Sequence, residues 1–288
     1  MNILITGATG NVGKEIIGSL NRIETNHSLI AAVSNIPRGE SKLSEFKNLT
    51  FRGLDFSNTS TFETALNEID IVFLLRPPQL ADIPKYFEPF FEVLKRKGIT
   101  KIVFLSVQGV ESQSKIPHYK MEKAILHHGF EYVFLRPSYF MQNLTSTLLY
   151  EIKNENQIFI PAGNLKMNWV DVMDIGRVGA HILNDFDKYK NTEIEITGSE
   201  FVGFKEVAEM LSKEVGRQIT YTSPNLIKFF IHKRRQGIKP AMIFVMIMLH
   251  YLPRFSENEN KLVNTIISIT GKEPGRLRDF IHREGINF

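Results

Sequence analysis

Residues 1–13 read MNILITGATGNVG, an apolar run followed at once by three glycines in a GxxGxxG spacing. A short strand, a glycine turn and a helix in this order form the phosphate-binding element of dinucleotide-binding folds. Gly7 allows the turn, Gly10 lets the backbone approach a pyrophosphate, and Gly13 lets helix and strand pack closely. The sequence therefore predicts a pyrophosphate-binding turn with contacts from Gly7, Thr9, Gly10, Asn11, Val12 and Gly13.

Short apolar runs alternate with helical patterns through the first half of the chain. Such runs are typical of strands buried on both faces of a parallel sheet, and their alternation with helices indicates right-handed βαβ units. We predict an α/β fold, a Rossmann-type doubly wound parallel sheet with a small, mostly helical C-terminal lobe. The predicted strands are residues 3–6, 29–33, 51–54, 71–75, 102–106 and 132–136, with residues 193–197 as a late strand.

The alternation of strands and helices loosens after Ser138. Residues 158–160 and 167–170 flank the turn-prone Ala162-Gly163-Asn164, and this pattern predicts a β-hairpin. We expect residues 1–150 to form the dinucleotide-binding core, to which residues 170–200 return. Residues 151–169 and 201–288 are expected to form the smaller substrate-cleft lobe.

The end of the second predicted strand decides between NAD and NADP, because an NAD-specific site usually carries an acid there that accepts the ribose hydroxyls. No Asp or Glu lies between Glu24 and Glu40. Ser34 and Asn35 can bond a 2′-phosphate instead, and Arg38 can reach it with its charge. The missing acid favours NADP(H) over NAD(H), and the alternative for Arg38 is an ordinary exposed loop arginine.

Two further strand ends supply candidate cofactor contacts. Asp55 follows the third predicted strand and is a candidate contact for the adenine amine, with Phe56 beside it. Leu75 and Arg76 follow the fourth strand, where the backbone usually lines the cofactor cleft. Arg76 can meet an acidic substrate or a phosphate, and a surface arginine is the alternative.

GATGNVG and three later segments resemble the atypical short-chain dehydrogenase/reductase group, and within it the NmrA-like and NAD(P)H:quinone oxidoreductase branch. The later segments are LRPSYFMQNL (135–144), WVDVMDIG (169–176) and TGKEP (270–274) with residues 277–280. This resemblance implies a Rossmann core, a smaller lobe, and a substrate cleft between them. In NADPH-dependent relatives an arginine often directly follows the second strand, where this chain has Ser34, so Arg38 would have to replace it.

The resemblance implies an NAD(P)H-dependent oxidoreductase that acts on a quinone or a similar small hydrophobic carbonyl or azo compound. It also allows a non-catalytic, NADP(H)-sensing regulatory protein. A nucleotide-sugar epimerase or dehydratase is a third function with the same core, although the tail contains no obvious nucleotide-sugar motif.

Ser106, Tyr119 and Lys123 are the candidate catalytic residues. In dehydrogenases of this superfamily, the tyrosine of a Tyr-xxx-Lys pair delivers a proton to the developing alkoxide, and a nearby ammonium lowers its pKa. Lys123 would also bond the nicotinamide ribose, while Ser106 would polarise the substrate carbonyl. The NmrA-like branch frequently lacks the tyrosine, so a packed aromatic side chain is the alternative role for Tyr119.

Composition excludes some classes of site and partner. The chain has no cysteine, which excludes disulfides and thiolate metal sites and suits a cytoplasmic protein. Its eight histidines show no metal-ligand spacing, so we predict no metal site. A net charge of +4 without aromatics between the basic residues argues against nucleic acid. The expected partner is a small-molecule substrate, and a homodimer is compatible with the sequence.

Two segments of the tail have alternative interpretations. Residues 232–235 (HKRR) are predicted to be a solvated helix end, with contact to nucleic acid or to an anionic partner as the alternative. Residues 241–249 (AMIFVMIML) are about half the length needed to span a bilayer. We predict a buried helix there, with a lipid- or partner-facing surface as the alternative.

Overall fold

The computed structural model describes residues 1–23, 26–255 and 261–288. The chain divides into two compact units. The first comprises Met1–Ser138, Val172–Ile196 and Val263–Glu273, and the second comprises Tyr139–Asp171, Thr197–Leu262 and Pro274–Phe288.

The described residues form strands, α-helices and short 3₁₀ turns, each kind numbered in chain order. The strands are β1 Asn2–Ile5, β2 Ser28–Val33, β3 Leu49–Gly53, β4 Ile71–Leu74, β5 Lys101–Leu105, β6 Glu131–Pro137, β7 Tyr139–Phe140, β8 Gln157–Phe159, β9 Lys166–Val170, β10 Thr192–Ile196, β11 Phe201–Gly203 and β12 Thr220–Thr222. The α-helices are α1 Asn11–Arg22, α2 Ile36–Lys42, α3 Phe62–Ala65, α4 Ile83–Arg96, α5 Pro117–His127, α6 Leu149–Glu155, α7 Val172–Asn184, α8 Phe186–Tyr189, α9 Phe204–Val215, α10 Leu226–Arg235, α11 Pro240–His250, α12 Thr265–Thr270 and α13 Leu277–Arg283. The 3₁₀ turns are Thr59–Thr61, Val110–Ser112, Met141–Asn143, Leu252–Phe255 and Gly285–Asn287.

A parallel sheet of seven strands forms the centre of the first unit, in the order β10-β6-β5-β4-β1-β2-β3. In β1, Ile3 lies opposite Leu29 of β2 on one side and Ile71 of β4 on the other. The strand order reverses between β1 and β4, and doubly wound sheets bind their ligands outside the carboxyl ends of the strands at such a point. The predicted Rossmann-type sheet is therefore confirmed, and each predicted strand agrees with the observed one to within two residues at either end.

Helices α1 and α7 pack against each other through glycines. A Cβ atom at Gly176 of α7 would lie 2.5 Å from Glu15 Cβ and 2.7 Å from the Glu15 carbonyl carbon. At Gly179, one turn along, it would lie 3.0 Å from Ile16 Cδ1. The close approach of the two helix backbones thus depends on the missing side chains of α7.

Aromatic side chains fill the core on one face of this sheet. Phe87, Phe90 and Phe91 of α4 are fully buried. The ring of Phe56 lies 4.7 Å from that of Phe87 and 5.1 Å from that of Phe90, measured between centroids. The phenylalanines of α4 are therefore core residues, as their helical spacing indicates.

The β strands of the second unit pair differently from the predicted hairpin. β8 pairs in parallel with β12, and Ile160 N–H then donates to Thr222 O at 3.2 Å. β9 pairs with β11 on one edge and β7 on the other. The hairpin prediction was wrong, because the backbone groups of both strands bond to segments that are distant in the sequence.

The tail is mostly helical, as predicted, but the prediction that residues 241–249 are a buried helix was wrong for one side of the helix. α11 buries Ile243, Met246 and His250. Its other side exposes apolar side chains, among them Phe244 and Val245, which are 57% and 56% exposed. Within the described residues, no helix is long and apolar enough to cross a membrane.

Buried polar groups join the helices of the second unit. Lys233 of α10 and Glu151 of α6 form an ion pair and are 0% and 1% exposed. Tyr139 and His250 form a second pair, with the hydroxyl oxygen 2.8 Å from His250 Nε2. Because His250 Nδ1 lies 2.6 Å from the Met246 carbonyl, which can only accept, Nδ1 carries the proton and Nε2 accepts from Tyr139.

Gly176→Ala should destabilise the protein by about 1–3 kcal/mol, because the new methyl group overpacks the backbone contact with α1. Gly18→Ala is the matched control in α1. Its Cβ would lie 3.4 Å from Phe46 Cε1, an ordinary contact. Replacing a helical glycine where the new methyl group makes only ordinary contacts removes about 0.5–1 kcal/mol of entropic cost, so this variant should be at least as stable as the wild type. Urea unfolding measures both, and equal effects of the two substitutions would contradict the close-approach argument.

The stability of the protein should fall below about pH 6.5 in part because of His250. Burial lowers the pKa of His250 to about 4, with a contribution from the charge of Lys233. A pKa that is lower in the folded than in the unfolded state stabilises fully above the unfolded value, about 6.5, and this contribution is lost at about 1.4 kcal/mol per pH unit as the pH falls towards 4.

Urea unfolding at pH 7 and pH 5 should therefore show a drop in the free energy of unfolding that is about 2 kcal/mol smaller for His250→Gln than for the wild type. The comparison concerns the difference between the two pH values, so a uniform destabilisation of the variant does not affect it. Equal drops for the two proteins would mean that His250 is not held neutral by burial.

Candidate functional site

The glycine turn joins β1 to an α1 N-terminus that has no side-chain cap. Gly7 has φ +61°, and the Gly10 N–H donates to the Gly7 carbonyl at 2.9 Å. Gly10 then serves as the N-cap of α1, whose first turn contains no acidic residue. Because the first amides of a helix lack intrahelical acceptors and carry a partial positive charge, this end of α1 is suited to an anion.

The three glycines of the turn are each required by their surroundings. A Cβ atom at Gly13 would lie 2.7 Å from Ala8 Cα, and one at Gly7 would lie 3.0 Å from Leu75 Cδ2. Gly10 is exposed, and a Cβ there would lie 3.2 Å from the Gly7 carbonyl oxygen. The turn thus places bare backbone at the carboxyl end of β1. Asn11 is exposed, whereas the Val12 side chain is 4% exposed, so Val12 can contribute only its backbone.

A groove of about 250 Å³ lies beyond the end of β2. It contains two cationic side chains, those of Arg38 and Lys42, and no carboxylate of the described residues lines it. The two cations lie four residues apart on α2, so they share a helix face. The lining residues are Thr9, Val33, Ser34, Asn35, Arg38, Gly39 and Lys42.

Asn35 also organises the groove. It is the N-cap of α2, and its Oδ1 accepts from the Arg38 N–H at 2.9 Å, which leaves the side-chain amide group to donate. Ser34, Asn35 and Arg38 were predicted from the sequence, whereas α2 and Lys42 were not. The signals for both were an Asn N-cap followed by Pro37 and a basic residue four positions after Arg38.

Asp55 and Phe56, which follow β3, have different surroundings. Asp55 is partly exposed, and its Oδ1 accepts from the Ser57 N–H at 2.8 Å and from the Ser57 hydroxyl at 2.6 Å. The other carboxylate oxygen of Asp55, Oδ2, does not accept a hydrogen bond from Ser57. The Phe56 side chain is 6% exposed and packs in the aromatic core beside α4, so the structure does not bring it to the surface with Asp55.

Leu75 and Arg76 continue from β4 towards the glycine turn. The Leu75 N–H donates to Thr6 Oγ1 at 2.7 Å, and the Leu75 side chain lies against Gly7. Arg76 is 9% exposed, unlike the surface arginine that was its alternative. Its Nη1 donates to the carbonyls of Pro77, Pro78 and Leu80 at 2.9, 3.1 and 3.2 Å.

Arg76 is a buried cation without a carboxylate partner among the described residues. Burial lowers its pKa, and Nε has no hydrogen-bond partner there. Burial, and after it the charge of Arg76, lowers the pKa of His118 to about 3, so His118 is neutral at pH 7. The proximity of Arg76 to His118 was not predictable from the sequence, because 41 residues lie between them and no local pattern joins them.

Tyr119 and Lys123 lie one turn apart near the start of α5, with Lys123 Nζ 5.3 Å from the centroid of the Tyr119 ring. Ser106 follows β5 and is 1% exposed, and its Oγ has no hydrogen-bond partner within residues 1–23, 26–255 and 261–288. A buried hydroxyl without a partner is unusual in a folded protein, and a catalytic role is one of the explanations for it.

Glu122, the residue before Lys123, forms an ion pair with Arg136. Its two oxygens accept from Arg136 Nε at 3.0 Å and Nη2 at 2.7 Å, a bidentate pair that links α5 to β6. Glu122 is 5% exposed and already fully engaged, so it is unsuited to proton transfer. The described part of the chain also contains no cluster of three His, Cys, Asp or Glu residues that could hold a metal ion.

Three features meet the description of a dinucleotide-binding protein of the Rossmann class. They are the reversal point of the seven-stranded parallel sheet, the uncapped helix that follows the glycine turn, and the cationic groove beyond β2. Comparison with known families agrees with this. The chain belongs to the NmrA-like family, whose model matches residues 1–238.

Three proteins of known name are similar to this chain. The Prestalk A differentiation protein A of Dictyostelium discoideum is 34% identical over 283 residues, which cover 97% of this chain and 91% of that protein. The NAD(P)H azoreductase of Xenophilus azovorans is 26% identical, with 96% of each chain covered. The NADPH-dependent quinone oxidoreductase of Escherichia coli, solved with NADPH, superposes with a TM-score of 0.81 and 19% identity over 98% of this chain and 99% of that one, a likeness of fold.

Proposed function

We propose that this protein is an NADP(H)-dependent reductase whose substrate is a quinone or a similar small hydrophobic carbonyl or azo compound. The observation that carries the cofactor assignment is the groove beyond β2, which offers Arg38 and Lys42 and no acid. A ribose 2′-hydroxyl is favoured by a carboxylate acceptor at this position, whereas a 2′-phosphate is favoured by cations and donors.

The residues present fit the pyrophosphate and the adenosine half of a dinucleotide. The open N-terminus of α1 and the bare backbone of the glycine turn suit the pyrophosphate. Thr9 lines both the turn and the groove, so the pyrophosphate site and the 2′-phosphate site are continuous. Asp55 is retained as a contact for the adenine amine, and Phe56, being buried in the core, is proposed to support that loop by packing.

A nicotinamide cofactor supplies hydride to an electron-poor carbon or nitrogen atom when bound. The residues of this chain then have to deliver the matching proton. We assign this role to Tyr119, with the neighbouring Lys123 bonding the nicotinamide ribose. The unpartnered Ser106 Oγ is proposed to donate to the substrate oxygen, which would satisfy a buried group that is otherwise without a partner.

Relatives support the reductase assignment at the level of class. The azoreductase matches this chain over 96% of both lengths, and the NADPH-dependent quinone oxidoreductase shares its fold. A purely sensory protein would need the cofactor groove but not the Tyr119–Lys123 pair or a free Ser106 hydroxyl.

The double variant Arg38→Gln/Lys42→Gln should bind NADPH about 10- to 100-fold more weakly while its affinity for NADH stays the same, because charge-assisted bonds to a phosphate contribute about 1.5–3 kcal/mol. Fluorescence titration with each cofactor measures the ratio. Lys47→Gln, which removes an exposed cation beyond α2, is the control and should change neither affinity. If the double variant loses affinity for both cofactors equally, the groove does not hold the 2′-phosphate.

Tyr119→Phe should lower kcat for quinone reduction by about 10²–10⁴-fold, the usual contribution of a general acid, and leave the Kd for NADPH unchanged. Tyr189→Phe is a control, because Lys188 Nζ lies 5.1 Å from the centroid of the Tyr189 ring, a distance similar to that between Lys123 and Tyr119. The measurement is NADPH oxidation at its absorbance band with a panel of quinones and azo dyes.

Two results of this assay would redirect the proposal. Unchanged turnover in Tyr119→Phe would remove the tyrosine from the mechanism and leave water or Lys123 as the proton source. Tight NADPH binding by the wild type without oxidation by any substrate of the panel would indicate the sensor function instead.

A further inference from the structure

The charge of this chain is unevenly distributed. Residues 215–255 contain seven of the 35 lysines and arginines and none of the 31 acids. The rest of the chain therefore has 28 cationic and 31 acidic side chains, a net charge of −3, although the whole chain carries +4. The basic character of the protein thus resides in one segment of the second unit.

The same segment exposes apolar side chains that nothing in the described chain covers. We call this set the α10–α11 surface. Ile227, Phe244 and Phe255 are 73%, 57% and 69% exposed. The rings of Phe230 in α10 and Phe244 in α11 lie 5.8 Å apart, so the two helices present one continuous patch. The exposed members are Ile227, Ile231, Met242, Phe244, Val245, Met248, Leu249, Leu252 and Phe255.

α11 is apolar on all sides. Its residues 240–249 contain no charged or polar side chain, and only Ile243 and Met246 of them are buried in the unit. A helix of this composition is normally buried throughout or lies against an apolar medium. Contiguous apolar patches on soluble proteins usually mark an interaction site.

Exposed cations surround this apolar patch. Lys228, Arg234 and Arg235 lie on α10, Lys239 precedes α11 and Arg254 follows it. None of the five forms an ion pair within the described chain, whereas the buried Lys233 between them is paired with Glu151. The unpaired cations are thus available to an external anionic partner.

A second copy of this chain is a poor occupant of this surface. In a two-fold dimer the same patch meets itself, so the exposed cations of one copy would face those of the other. Like charges brought together in this way oppose association. The charge pattern therefore favours a partner that combines an apolar interior with a negative surface.

We propose that the α10–α11 surface binds the face of an anionic phospholipid bilayer, with the exposed side chains of α11 inserted among the acyl chains and the surrounding cations at the headgroups. Interfacial helices combine an apolar face with flanking Lys and Arg in this way. Eleven residues of α-helix extend over about 16 Å, roughly half of a hydrocarbon core, so α11 lies in the interface rather than spanning it.

Co-sedimentation of the full-length protein with phosphatidylcholine vesicles, with and without about 30% phosphatidylserine, tests the proposal. Binding should require phosphatidylserine and weaken as the salt concentration rises, because surface charges are screened. Arg234→Gln/Arg235→Gln/Lys239→Gln should bind on the order of 100-fold more weakly, at roughly tenfold or less per charge. Phe244→Ser, which removes one inserted ring, should bind about tenfold more weakly.

Matched controls separate the surface from general charge and hydrophobicity. Lys47→Gln/Lys115→Gln/Lys205→Gln removes three exposed cations elsewhere and should bind like the wild type. Ile286→Ser removes an apolar side chain that is 93% exposed outside the surface and should also bind normally. Circular dichroism and the thermal midpoint confirm that each variant is folded.

Two results would overturn the proposal. One is absence of phosphatidylserine-dependent binding by the wild type, or binding that the control variants lose as strongly as the surface variants. The other is a wild-type dimer in light scattering that Phe244→Ser dissociates, which would make the surface an interface between two copies.

Discussion

The contact of Gly13 with the backbone of the glycine turn is the constraint on which the rest of the first unit depends. α1 can follow β1 so closely only because no side chain separates Gly13 from Gly7 and Ala8. This close approach places the uncapped end of α1 at the carboxyl edge of the sheet, where it is free to bind an anion. α7 repeats the device, since Gly176 brings it against the backbone of α1 at Glu15. The contact between β1 and α1 and the contact between α1 and α7 thus both depend on a glycine at a position where a methyl group does not fit.

The buried Arg76 and the partly buried Arg136 show how differently the fold treats charge. Arg136 is neutralised by the bidentate carboxylate of Glu122, and the pair fastens α5 to the sheet. Arg76 has only carbonyl dipoles around it and a neutral imidazole nearby, so its charge is solvated but not cancelled. Uncompensated positive charge at the carboxyl end of β4 creates a local potential that favours electron-rich or anionic groups. Arg76 therefore holds the loop after β4 through its bonds to backbone carbonyls, and its charge attracts anionic groups to that loop.

The sequence allowed the sheet and the glycine turn to be predicted because buried parallel strands and a GxxGxxG turn each leave a local pattern. Ser34 and Arg38 were predicted as cofactor contacts from an acid that is missing from a known position, and the structure places both of them in one groove. The pairing of β8 with β12 was not predictable, because two strands of three residues some 60 positions apart share no local signal. The outer side of α11 was misread because an all-apolar helix has the same composition whether it is buried or exposed. Whether Arg76 is buried or exposed likewise depends on tertiary structure alone.

The division of the chain has a consequence for how the protein is made. The path passes from one unit to the other at Ser138, Asp171, Ile196, Leu262 and Glu273. α12, which packs on α7 and β10 of the first unit, lies in the last of its segments. During synthesis the sheet can form early, but its unit stays incomplete until residue 273 has left the ribosome, by which time most of the other unit exists. Neither unit is contiguous in the sequence. Neither can therefore complete its fold during synthesis before most of the other unit has been made.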